Sequence, residues 1–183
     1  MKALPLLSVI VGLAVAPSSH AAPMAVTVGD PALLFTLPAI NEDAAVAAVG
    51  TSRVSLGDFA GVTPPRPAKA TVVHFFDRSE GAASQLAALE RLKRRHGGKG
   101  LQVLAVTADD SDLGSLSTWV EDQKISFPVL RDNHRVVLGR YRIERTPLTL
   151  LVDSDGRVFA IGNPAGEGLE LELEGEIGAV LDR

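Results

Sequence analysis

The 183-residue chain contains no cysteine. That absence excludes disulfides, thiolate metal sites, cysteine nucleophiles and lipid attachment through an N-terminal cysteine. Histidine is scarce: His20, His74, His96 and His134 are the whole set. A three-ligand metal site is not expected from so few ligands, and no cofactor is expected. There is no excess of basic charge, since 18 Lys and Arg face 22 Asp and Glu for a formal charge of −4. A general nucleic-acid binder is excluded on that balance. No internal repeat is visible. Apolar residues are 46% and charged residues 22%, the range of a folded globular domain and not of a disordered chain.

The first segment reads as an address. Lys2 precedes an apolar run from Ala3 to Ala16, which is shorter than the ~20 residues a membrane span needs. Ser19-His20-Ala21 puts small residues at the −3 and −1 positions of a cleavage site before Ala22. Residues 1–21 are therefore expected to be a signal peptide, and the protein to be exported, periplasmic or extracellular. No stable membrane span remains after cleavage. The mature chain would carry 17 basic and 22 acidic residues.

Residues 22–66 read as an N-terminal arm and linker, with extended backbone over 22–50, a short strand and turn at Arg53 to Phe59, and a stiff Pro-rich stretch at Thr63 to Pro67. Residues 67–183 read as one domain. Thr71 to Phe76 is β-branched and apolar, a buried strand. Gln85 to His96 follows at helical spacing and stops at Gly97-Gly98. Arg91, Lys93, Arg94 and Arg95 at its end suit the negative end of the helix dipole, or a phosphate. Leu101 to Thr107 is a second buried strand. A helix is expected from about Leu113 to Gln123, capped by the Asp109–Asp112 stretch. Phe127 to Leu130 reads as extended, Val136 to Tyr141 as a short helix, and Leu148 to Val152 as a strand. Asp153 to Gly156 turns the chain into Arg157 to Ile161, and Leu169 to Leu181 is a closing helix. Strand–helix–strand order implies parallel strands and an α/β fold.

These strings, in this order, resemble the thioredoxin-like redoxins of the exported TlpA/ResA type. The resemblance runs from about Val28 to Ile161. It is carried by Val28-Gly29-Asp30-Pro31, Val54 to Phe59, Val72 to Phe76, Phe127 to Asp132, Thr146-Pro147-Leu148-Thr149 and Asp153 to Gly156. It implies a thioredoxin-like domain with a central four- to five-stranded mixed sheet and helices on both faces. It also implies a Cys-x-x-Cys motif after the first strand, and here this chain departs. A gapless register places Glu80 and Ala83 at the two cysteine positions; an alternative register places Ser79 and Ala82 there. Neither supplies sulfur. Disulfide exchange requires a thiolate, and peroxide reduction by this family begins with one.

Three features remain at the degenerate centre. Thr146-Pro147 occupies the place of the family's cis-proline, whose loop pairs with an extended peptide; that pairing needs no cysteine. Glu80 is expected at a helix N-terminus, where free N–H groups favour an anion and where it would repel acidic peptides. His74 is expected beneath the lost motif, in reach of Glu80 or Asp77; His96 and His134 are expected at the surface. The reading that results is an exported binding module for an extended peptide or an envelope protein, with no nucleic acid and no metal. Redoxin-class activity through a partner's thiols is the alternative.

Overall fold

The computed structural model describes residues 24–162 and 168–183. The leader expected at 1–21 lies outside the described residues. Five strands form the central sheet: β3 (Ala70–Phe76), β4 (Leu101–Thr107), β5 (Val129–Arg131), β6 (Leu148–Asp153) and β7 (Val158–Gly162). They lie in the order β5-β4-β3-β6-β7. β3, β4 and β5 run parallel, and β6 and β7 are antiparallel to their neighbours. The sheet is thus mixed, and β3 sits at its centre.

Every residue of β3 is buried, because both faces of the sheet are covered. On one face Val73 and Phe75 meet Phe35, Val54, Leu56 and Phe59, together with Val137, Leu138 and Tyr141 of α4 (Val136–Tyr141). On the other, Val72 and Phe76 meet α2 (Ala82–His96), α3 (Leu113–Asp122) and α5 (Gly168–Leu181). In α2, Leu86, Leu89 and Leu92 fall on one side at helical spacing and are wholly buried. Each contributes about 1.5–3 kcal/mol by leaving water.

The basic end of α2 is occupied by partners of its own. Arg91 and Arg95 both bind Glu170, at 2.7 and 3.2 Å, and Arg95 also binds Glu174 at 2.6 Å. Arg94 pairs with Glu90 at 2.9 Å. His96, expected at the surface, is instead buried, with Nε2 2.9 Å from Glu174 Oε1. The closing helix covers it, and its acidic residues attract it. His134 is exposed.

The extended backbone expected over residues 22–50 is corrected in part. Glu42–Val49 is helix α1, and Thr36–Pro38 is strand β1, paired with β2 (Arg53–Ser55). Gly50 ends α1 in the left-handed region. The same N-terminal stretch reaches both edges of the central sheet. Gly29 N–H donates to Val158 O at 2.7 Å and Pro31 bridges Arg157, while Ile40 N–H donates to Val129 O at 2.7 Å and Ala39 bridges Leu130.

Candidate functional site

The carboxyl ends of β3 and β4 open into a cleft of about 360 Å³. Carboxyl ends of parallel strands are where open α/β sheets present loops to ligands. Phe76, Asp77, Arg78, Ser79, Asp109, Arg135 and Thr146 are among its lining residues.

The turn that replaces the Cys-x-x-Cys motif runs from Asp77 to Gly81. Gly81 caps α2 at φ 97°, a left-handed conformation that glycine adopts without steric cost. Glu80 precedes this cap and is exposed, so it sits just outside the helix and not on its first turn. Ser79 is exposed and lines the cleft. Ala82 is buried as the first residue of α2, and Ala83 beside it is exposed. Both registers of the lost motif therefore begin on this turn, at Ser79 or Glu80, and end in the first turn of α2, at Ala82 or Ala83.

Two side chains of the turn, Asp77 and Arg78, fix it to its surroundings. Thr146 Oγ1 donates to Asp77 Oδ2 at 2.6 Å, joining the turn to the loop before β6. Arg78 reaches the β4–α3 loop, with Nε 3.3 Å from Asp109 Oδ2 and Nη2 2.9 Å from Ser111 Oγ. Burial raises the pKa of Asp77, but hydrogen bonds from Ser79 and Thr146 and the charge of Arg135 outweigh it and hold the carboxyl below its ordinary value. Asp109 is held low in the same way: burial raises it, and Ser111, Arg78 and Arg131 lower it further. Both carboxylates are thus ionised at neutral pH. The Thr146–Pro147 peptide bond is cis.

His74 does not contact Glu80 or Asp77. Its ring is wholly buried in β3, with Nδ1 2.9 Å from Thr149 Oγ1 and Nε2 3.3 Å from Gln85 Oε1. The register explains this, since His74 stands directly opposite Thr149 on β6. Its side chain points to the face that α2 covers, where Gln85 meets it. With Gln85 accepting, the neutral ring carries its proton on Nε2 and accepts from the Thr149 hydroxyl. Burial pushes the His74 pKa down to about 4, against a smaller upward pull from Gln85. A wholly buried ring with a partner on each nitrogen serves to join β3, β6 and α2.

Sequence reasoning missed Arg78. The β3–β4 register pairs Phe76 with Thr107, so Arg78 and Asp109 leave neighbouring strands at the same height. That register belongs to the folded sheet, and no local string around Arg78 announces it. Arg135 was missed as well; it reaches the cleft from the N-terminal end of α4. Among the described residues no group of three or more His, Asp or Glu is placed to hold a metal ion. No helix there is long and apolar enough to cross a membrane.

Comparison with known proteins accords with this architecture. The chain is 31% identical over 77 residues to the thiol-disulfide oxidoreductase ResA of Bacillus anthracis. That similarity covers 42% of this chain and 43% of the relative, less than half of either. Among solved structures, a Chlorobium tepidum protein provisionally assigned as thiol:disulfide interchange protein DsbE superposes with a TM-score of 0.71 at 21% identity, over 86% of this chain and 99% of that one. A secreted Mycobacterium tuberculosis disulfide oxidoreductase superposes with a TM-score of 0.61 at 17% identity, over 79% of this chain and 95% of that one. At such identities the superpositions establish the thioredoxin-like fold. Residues 28–161 match the AhpC/TSA family, and the chain therefore belongs to that family, as a member that has no cysteine.

Proposed function

We propose that this protein is an exported, non-catalytic binding member of its family, holding an extended peptide or an envelope protein in the cleft beside Thr146-Pro147. The observation that carries the reading is the survival of a braced cleft without its thiols. The turn at Asp77 to Gly81 is tied to the Thr146 loop and to the β4–α3 loop, although no cysteine exists to be positioned. A site kept in shape without its nucleophile can still bind, because strand-like pairing to a loop uses backbone groups alone. Export is supported by the pattern of Lys2, the apolar run and Ser19-His20-Ala21.

The names of the ResA relatives favour a second reading, in which the protein serves thiol chemistry performed by a partner's cysteines. Capture of partners from an exported extract, with and without dithiothreitol, separates the two. A binding module retains its partner in reductant. An accessory to thiol exchange gives a complex or turnover that depends on thiol state. Loss of all capture in reductant would overturn the first reading.

A further inference from the structure

Two groups of arginines in this protein are unlike. Arg78, Arg91, Arg94 and Arg95 each meet a carboxylate. The stretch from 131 to 145 is different. It carries Arg131, Arg135, Arg140, Arg142 and Arg145 against Asp132 and Glu144, within a chain of net negative charge. Asp132 does not neutralise the surface. It is buried, and its carboxylate accepts the N–H groups of Val136, Val137 and Leu138 at 2.8–2.9 Å. Arg131 and Arg140 donate to the backbone carbonyls of Ser111 and Leu34 and form no direct ion pair among the described residues, although the charges of Arg131 and Arg135 act on Asp109 and Asp77 in the cleft. Arg135, Arg142 and Arg145 are exposed, and none of them forms an ion pair among the described residues.

Two further facts set this surface apart. Arg135 and Arg142 bracket α4 with φ of 53° and 54°, a region that favours glycine or asparagine, so the backbone does not call for arginine there. The segment also meets the cleft: Arg135 lines it, and Arg145 is the chain neighbour of Thr146, which lines it too.

We propose that the α4 segment is a docking surface for an acidic protein segment. A partner lying in the cleft places aspartate or glutamate side chains on Arg135, Arg142 and Arg145. This rests on the binding reading above and narrows the partner's chemistry. A protein segment fits better than an anionic membrane. The facing loops carry Asp77, Glu80, Asp109 and Asp110, so a flat anionic surface would meet both signs of charge at once. A single extended chain can follow the basic wall and leave the acidic one to its neutral or basic residues.

The test uses the full mature chain and labelled Glu-Thr, Lys-Thr and Ser-Thr repeat peptides, with phosphatidylglycerol vesicles as a separate probe. Each exposed ion pair changes affinity by a few-fold, so three together change it by roughly tenfold or more. The Glu-Thr peptide is expected to bind at low salt and to weaken as salt rises. The combined Arg135→Glu, Arg142→Glu and Arg145→Glu variant, checked by circular dichroism, is expected to lose that binding and to gain affinity for the Lys-Thr peptide. Should that variant misfold, Arg145→Gln alone and the salt dependence of the natural protein carry the same test. Unchanged Glu-Thr binding by the variants overturns the proposal. So does binding of vesicles without binding of the Glu-Thr peptide. Equal binding of the Ser-Thr peptide by both forms leaves the cleft reading standing and removes the acidic partner; failure of every peptide removes both.

Discussion

The hydroxyl of Thr146 and the carboxylate of Asp77 meet at 2.6 Å in the lining of the cleft, so the loop before β6 and the turn before α2 are held as one unit. Each residue is local to its own strand end, and nothing else in the cleft joins those two loops by a side-chain bond among the described residues.

That bond gives the first prediction. Asp77→Ala and Thr146→Val should each lower stability by about 1 kcal/mol or less, since the site is open to water. A double-mutant cycle should show that the two losses are largely the same loss. The Asp77 pKa is lowered on folding. Its contribution is therefore full above the ordinary carboxylate range and is lost as pH falls through the folded value. Urea denaturation of the four forms at neutral and acid pH measures this; simple additivity of the two losses would show that the bond does not form in solution.

His74 gives a prediction of the other kind. Its folded pKa, about 4, lies below the ordinary value of 6.5. The unfolded chain then binds a proton that the folded chain refuses. Stability is unaffected above pH 6.5 and declines as pH falls from there towards 4. The loss is on the order of 3 kcal/mol at its fullest. A His74→Gln variant should lack this portion of the acid response, although it will be less stable at neutral pH. An NMR titration that finds an imidazole pKa near its ordinary value would contradict the buried network.

Redox inertness is the third expectation. The purified protein should reduce no insulin disulfides and consume no peroxide by a thiol route, because no thiolate exists in the chain. Turnover above a buffer blank that persists through repeated purification would demand a different chemistry.

Asp132 offers a sharp test of how α4 is built. One carboxylate takes three backbone N–H groups of that short helix. Asp132→Ala strands those donors in a buried place and should cost about 2–3 kcal/mol. Asp132→Asn keeps one acceptor oxygen and should cost less. Thermal denaturation ranks the two, and equal losses would mean that packing, not capping, holds α4.

The leader supplies the fifth. Protein recovered from its native compartment should begin at Ala22, as judged by intact-mass spectrometry. A mass that includes Lys2 would remove the basis for export.

How much of this was legible beforehand varied with the kind of signal. Leu101–Thr107 and Val136–Tyr141 have the bounds the sequence suggested, because apolar runs and turn residues mark them on both sides. α1 was hidden. Its buried residues are Ala45 and Val49, too few and too small to make a visible stripe, and only Glu42-Asp43 and Gly50 marked its ends. Asn41 looks like a cap but its side chain bonds to Phe127 O and Val129 N instead. The candidate site was legible as a place and not as a set of contacts. Thr146, Pro147 and the turn at Ser79-Glu80 could be located from local strings. The partners of His74 and Arg78 depend on strand register, which joins residues 75 and 31 positions apart.

The N-terminal stretch that borders β5 at Ile40 and β7 at Gly29 has a consequence for the order of assembly. A sheet edge left open is a template for another chain. Here the segment that borders both edges is made before the strands it borders, β5 and β7. A chain growing from its N-terminus thus carries its cover in waiting: the β5 edge can be sealed only once Val129 and Leu130 have emerged, and the β7 edge only after about Val158. The interval of exposure is set by the rate of synthesis, and it is the period in which a chaperone has the most to protect.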